Sequence, residues 1–145
     1  MKGLLMVISA MLFVGQTANA QTKVANYSIG KYGTDKYEHF SFYVKDGHRA
    51  EIYYRYGKVD KEFKVTYLNK LQVNGSDAFK VKFSNGHTTT VIPSGIKLKI
   101  ADDGETPKIF TWEYEGPVNG VGTFCQPCTE DEKEAIQLVK AYYLK

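Results

Sequence analysis

Cysteine is scarce in this chain. Its 145 residues contain two, so a disulfide-dense scaffold is excluded and stability must come from a packed core. Charge of one sign is scarce too. The formal net charge is +3, or +2 once Lys2 leaves with the expected leader, so neither nucleic acid nor an acidic membrane surface is implied as a partner. Beyond the first residues, no apolar run is long enough to span a bilayer. Nothing before the C-terminus reads as a crossover helix, which argues against parallel βαβ units.

Catalytic and metal motifs are missing as well. There is no G-x-S-x-G, no H-E-x-x-H and no EF-hand loop. The glycines at 116, 120 and 122 lack the G-x-G-x-x-G order of a phosphate cradle, so a connecting loop is expected there. Asp102-Asp103-Gly104-Glu105 is too short for a calcium loop and reads as a solvated turn. No second C-x-x-C and no H-x₃-H pair completes a zinc set. The expectation is a protein with no metal, no cofactor and no catalytic residues, leaning away from an enzyme.

What is present begins with a leader. Lys2 is followed by an apolar run over Leu4–Val14 and by Ala18-Asn19-Ala20, an A-x-A cleavage pattern. Residues 1–20 are read as a signal peptide, and residues 21–145 as one exported domain, secreted or periplasmic. No cysteine stands at the cleavage point to carry a lipid anchor.

The rest is organised around Ala78–Phe83, where Phe79, Val81 and Phe83 alternate with Lys80 and Lys82 between two Asn-Gly turns. The same period of two runs through Tyr37–Val44, Arg49–Tyr56, Glu62–Tyr67, Thr88–Ile92, Ile96–Ile100 and Ile109–Glu115. With a short strand in Thr22–Tyr32 this predicts a mainly β protein. It is an antiparallel meander of about eight strands, forming a small barrel or a curved sheet or sandwich. Phe63, Val65 and Tyr67 are expected inward, with the same parity continuing through Leu71 and Val73 past an irregularity near Leu68-Asn69-Lys70. That stretch is one long strand or two. Pro93-Ser94-Gly95 should end the strand before it. The expected core is Phe40, Phe42, Ile52, Phe63, Val65, Phe79, Val81, Phe83, Leu98, Phe110 and Trp112.

The first hairpin poses a parity question. A two-residue loop, Asp46-Gly47, would pair Lys45 with His48 and set Phe42 against Glu51. A three-residue loop, Lys45-Asp46-Gly47, pairs Val44 with His48, Phe42 with Ala50 and Phe40 with Ile52. Apolar faces then coincide, so the odd loop with Gly47 in a G1 bulge is expected.

Thr129-Glu130-Asp131-Glu132 reads as a capping box opening a helix over 129–143, with Ala135, Ile136, Val139, Tyr142 and Tyr143 as its apolar stripe. A lone helix of this length is marginal, so it must dock on the β structure.

Just ahead of it stands Cys125-Gln126-Pro127-Cys128. A C-x-x-C directly before a helix, with Pro ahead of the second Cys, resembles the redox motif of the thioredoxin family. That resemblance implies thiol–disulfide exchange with a thiol pKa depressed by the helix N-terminus; in that case Cys125, nearer the loop and farther from the helix that would cover Cys128, is the nucleophile. The motif here follows a glycine-rich loop, and no βαβ pattern precedes it. A structural disulfide clamping the loop to the helix start is therefore the expected role, with redox activity as the alternative.

His39, His48 and His87 are the three histidines. His48 and His87 each follow a turn, and a shared site requires both turns at one end of the sheet. Tyr43, Tyr53, Arg49 and Arg55, with Lys58 beside them, are expected on the outward face of the first hairpin as a possible ligand or partner surface. A meander followed by a helix resembles the lipocalin family in outline, and Gly30-Lys31-Tyr32 is similar to that family's early Gly-x-Trp. The function expected is non-enzymatic binding of a small apolar ligand, or of a protein or glycan partner at the cell surface. The alternatives are a thiol–disulfide protein and a structural envelope protein with no separable activity. A hollow inner face would favour a small ligand.

Overall fold

The computed structural model describes residues 21–59, 61–114 and 125–145. The expected leader and the Gly116–Phe124 loop lie outside the described residues.

Eight antiparallel strands close into a barrel in simple sequence order. They are β1 (Thr22–Ile29), β2 (Glu38–Lys45), β3 (His48–Tyr56), β4 (Phe63–Val73), β5 (Ser76–Lys82), β6 (Thr88–Ser94), β7 (Lys97–Asp102) and β8 (Lys108–Trp112). One helix, α1 (Glu132–Tyr143), follows. Closure is made by β1 against β8, with Tyr27 opposite Trp112 and Ser28 opposite Thr111. A closed barrel leaves no sheet edge unpaired. Of the architectures expected, the barrel is the one adopted.

The first hairpin corrects the expected register. Lys45 pairs with His48 across a two-residue Asp46-Gly47 turn. Both turn residues have positive φ, 53° at Asp46 and 74° at Gly47, as a type I′ turn requires. Parity is restored further along. Val44 pairs with Arg49 but Phe42 pairs with Ile52, so Tyr43 faces both Ala50 and Glu51 in a β-bulge. Phe40 then meets Tyr54, not Ile52. The apolar faces coincide, as the pattern demanded, but the odd residue sits inside β3 rather than in the loop.

β4 is one strand, with its bulge at Leu68: Tyr67 pairs with Val81 and Asn69 with Lys80. An extra residue reverses the parity beyond it. Lys70, not Leu71, therefore stands opposite Phe79. Pro93 does not end β6. It pairs in register with Leu98, and Ser94 with Lys97, across a Gly95-Ile96 turn. β5 pairs with β6 only as far as Phe79↔Val91, so Pro93 lies past that ladder. Gly30 permits the tight approach of the β1–β2 connection. Its φ is 82°, and a Cβ there would lie 2.5 Å from the Lys36 carbonyl oxygen.

The helix starts later than its box suggests. Asp131 is the N-cap, its carboxylate accepting from the Glu134 amide at 2.8 Å. Thr129 is fully buried and serves the tertiary structure instead: its hydroxyl accepts from the Trp112 indole N–H at 3.1 Å. The buried stripe is Ala135, Ile136, Leu138, Val139 and Tyr143, with Tyr142 half-buried.

This stripe closes one end of the barrel. The Tyr143 ring lies 5.5 Å from Phe42, 5.4 Å from Phe79 and 6.1 Å from Tyr67. Its hydroxyl donates to the Tyr43 carbonyl at 2.6 Å, with the Ala50 carbonyl at 3.2 Å. These are the carbonyls at the β2–β3 bulge, so the helix terminus satisfies the backbone that the bulge disturbs. Burial pushes this phenol well above its ordinary pKa, against the opposing Arg49 charge, and the Glu51 charge adds to the rise.

Candidate functional site

The two ends of the barrel differ. Strand directions put the 46–47, 74–75 and 95–96 turns at the helix end, and the 30–37, 57–62, 83–87 and 103–107 connections at the other. At the helix end the Tyr143 ring packs among Phe42, Phe79 and Tyr67, and a hollow of about 320 Å³ lies beside α1, lined by Lys23, Val44, Leu138 and Tyr142. The opposite end holds a cavity of about 420 Å³, within the usual size of small-ligand sites.

Its walls come from inward positions of successive strands. Phe40 lies 4.8 Å from Tyr54, 5.6 Å from Phe110 and 6.1 Å from Phe83 between ring centres. Tyr54 and Phe83 meet edge-on at 5.1 Å. Tyr56 and Phe63 stack at 5.9 Å nearer the mouth. Phe63 and Phe83 are only half-buried, which corrects their expected place in the core. Trp112 is half-buried too, at the helix end, where its indole reaches Thr129. The other eight expected core residues are buried.

Polar groups cap these walls. Glu38 continues the inward parity of Phe40 and Phe42 to the first position of β2. One carboxylate oxygen accepts from the Tyr54 hydroxyl at 2.9 Å, the other from the Lys108 ammonium at 2.7 Å. Asp102 continues the parity of Leu98 and Ile100 to the last position of β7. It accepts from the Thr89 hydroxyl across the ladder and from His87 Nε2 at 3.0 Å. Lys108 begins β8 at the parity of Phe110.

These contacts set the charge states. Burial works to raise the Asp102 pKa, but the hydrogen bonds from Thr89 and His87, with the His87 and Lys108 charges, hold it below the ordinary carboxylate value. The Glu38 hydrogen bond raises Lys108 despite some burial. Burial, and next the Glu38 charge, pushes the Tyr54 phenol far above its ordinary value, so it stays a neutral donor. The lining thus carries three carboxylates, Glu38, Asp102 and Glu105, against one ammonium and the His87 imidazole.

The residues expected as a surface are dispersed. Tyr43 and Tyr53 meet edge-on at 5.7 Å. Arg49 sits at the helix end, its guanidinium 3.7 Å above the Tyr67 ring and donating to the Tyr142 carbonyl at 3.2 Å. Arg55 lies near the open end, beside Tyr37 and Lys58 around a smaller hollow. Six residues along one strand separate the two arginines by roughly 20 Å. The histidines are dispersed too: His48 is at the helix end, His87 at the open end, and His39 is buried on β2. Even strand alternation places their two turns apart. Tyr32, of the Gly30-Lys31-Tyr32 echo, is 69% exposed.

Cys125 and Cys128 form a disulfide. Pro127–Thr129 lies alongside β1: the Val24 amide donates to the Pro127 carbonyl at 2.8 Å, and the Thr129 amide to the Val24 carbonyl at 3.0 Å. Cys128 is buried, and its Sγ accepts from the Asn26 amide at 3.3 Å. Asn26 is held in turn by the Ser41 hydroxyl at 2.7 Å. Among the described residues no group of three His, Cys, Asp or Glu side chains is placed to hold a metal ion, and no helix is long and apolar enough to cross a membrane.

Glu38, Tyr54, Asp102 and Lys108 were not apparent as site residues from motifs. The available signal was a charged residue extending a strand's inward parity. Comparison of the chain with protein-family models, with curated proteins and with solved structures finds no match.

Proposed function

We propose that this protein is an exported binding barrel that holds a small, largely apolar ligand in its open end. The observation that carries this reading is the asymmetry of the inner face. Tyr143 and its neighbours fill one end, while aromatic walls enclose about 420 Å³ at the other. Small-ligand sites are concave and mostly apolar, with a few convergent polar groups. Phe40, Tyr54, Phe83 and Phe110 supply the apolar walls, and Glu38, Asp102, His87 and Lys108 the polar groups. Two lining hydroxyls serve to hold the wall together, Tyr54 donating to Glu38 and Thr89 to Asp102, an arrangement that suits binding. Export is part of the proposal and rests on the leader pattern of residues 1–20 and on the disulfide. The disulfide we assign a structural role, because Cys128 is buried and hydrogen-bonded against β1.

The test is titration with a neutral environment-sensitive dye such as N-phenyl-1-naphthylamine. One-to-one saturable binding with a blue shift is expected. Ser84→Trp, at an exposed position of the mouth, should block it. Binding that ignores this substitution would place the ligand elsewhere.

A further inference from the structure

The charges at the mouth select among small ligands. We propose that the cavity takes an organic monocation, an ammonium or amidinium group on an apolar or aromatic body; this rests on the reading of the open end as a ligand site.

Three observations converge on that charge. Carboxylates outnumber ammonium groups in the lining, three to one. The single ammonium is already engaged, since Lys108 lies 2.7 Å from Glu38. An anion entering the cavity meets two inward carboxylates and must strip Lys108 from Glu38 to find a partner. Phe40, Tyr54 and Phe83 form a contiguous aromatic wall beside those carboxylates. Aromatic faces are negative, so they attract a cation and repel an anion.

Asp102 is the expected anchor. Its partners at the open end are the Thr89 hydroxyl and His87, whose charge depends on protonation. A permanent cation can take the place of His87 there while Thr89 keeps the carboxylate aimed inward. Glu38 is less available, because Lys108 and Tyr54 hold both its oxygens. Glu105, exposed at the rim, adds attraction at longer range.

The test is calorimetric titration of the purified protein with three matched probes: 1-naphthylmethylammonium, 1-naphthylmethanol and 1-naphthoate. The cation should bind about tenfold or more tighter than the neutral alcohol, and the anion weakest. Asp102→Asn should remove most of the cation's advantage over the alcohol. Glu105→Gln, an exposed side chain at the rim, should weaken the cation by roughly two- to threefold at low salt. Tightest binding of the alcohol or the naphthoate would overturn the charge assignment while the binding site stands. Binding of none of the three would overturn both.

Discussion

Replacing Tyr143 by Phe should cost about 1–2 kcal/mol, and replacing it by Ala about 4–7 kcal/mol, from two separable terms. The hydroxyl donates to Tyr43 at 2.6 Å and lies 3.2 Å from the Ala50 carbonyl. A buried hydrogen bond is worth about 1 kcal/mol net, and a carbonyl left dry costs about 1–3 kcal/mol. Phe keeps the ring against Phe42, Phe79 and Tyr67, so only this term is lost. Ala also removes a fully buried aromatic ring, a loss of about 3–5 kcal/mol. The larger sum approaches the whole stability of many domains, about 5–15 kcal/mol. Urea unfolding followed by far-UV circular dichroism measures both, with an unchanged m-value showing that the same structure unfolds. In thermal melts the Phe variant should fall by roughly 4 °C per kcal/mol. A Phe variant as stable as the parent would mean that the hydroxyl does not cap the bulge. An Ala variant no worse than the Phe variant would mean that the helix does not plug the barrel.

Other consequences follow from the same geometry. Phe79→Ala should cost about 3–5 kcal/mol and Phe83→Ala less than half of that, because Phe83 is half-buried at the mouth; equal losses in urea unfolding would make the mouth part of the packed core. The folded pKa of Asp102 lies below its unfolded value of about 4, so its contribution is present at neutral pH and lost as pH falls through the folded value. Between about pH 5 and pH 3 the parent should therefore lose more stability than Asp102→Asn; parallel curves would remove the Thr89 and His87 contacts from the account. The protein should isolate with Cys125–Cys128 oxidised and a reduction potential below about −300 mV, and reduction should leave the strand signal intact; a potential between about −270 and −120 mV would favour thiol exchange instead.

The strands were legible because each is a half-buried ribbon whose period of two survives in the chain. The places where an odd residue falls were not. Alternation in Phe40–Val44 and Ala50–Tyr56 requires one extra residue between matched faces, and says nothing about its location. A three-residue loop and a bulge both satisfy it. The Asp46-Gly47 turn, with both residues at positive φ, matches strand twist best, so the extra residue moved into β3. There Tyr143, about a hundred residues away in sequence, hydrogen-bonds the disturbed carbonyls. The helix start follows the same logic. Thr129 with Glu132 and Asp131 with Glu134 are both plausible cap pairs by spacing. The choice is made by Trp112 and Val24, which engage Thr129 in tertiary hydrogen bonds. Local patterns name the candidates, and long-range partners select among them.

The cavity was harder to read for a related reason. Inward parity is the same whether a barrel is filled or open, so Phe63 and Phe83 look identical to Val65 and Phe79 along the chain. What separates them is the helix, which fills one end and leaves the other without a plug. Yet the sequence carries a mark of that end. Glu38, Asp102 and Lys108 each sit one inward step beyond Phe40, Ile100 and Phe110. In a filled barrel such positions would bury charge at a cost of several kcal/mol each unless fully paired. Three of them at one end of the barrel, on β2, β7 and β8, are tolerable only where water or a polar ligand group reaches. The contacts agree: Lys108 and Glu38 answer each other, and Asp102 draws on a hydroxyl and an imidazole at the mouth. Glu38, Asp102 and Lys108, assigned to one end by strand alternation, are thus the chain's mark of the open end, whereas Lys23, at the parity of Ala25 at the helix end, is answered by Glu134 of the helix at 3.3 Å.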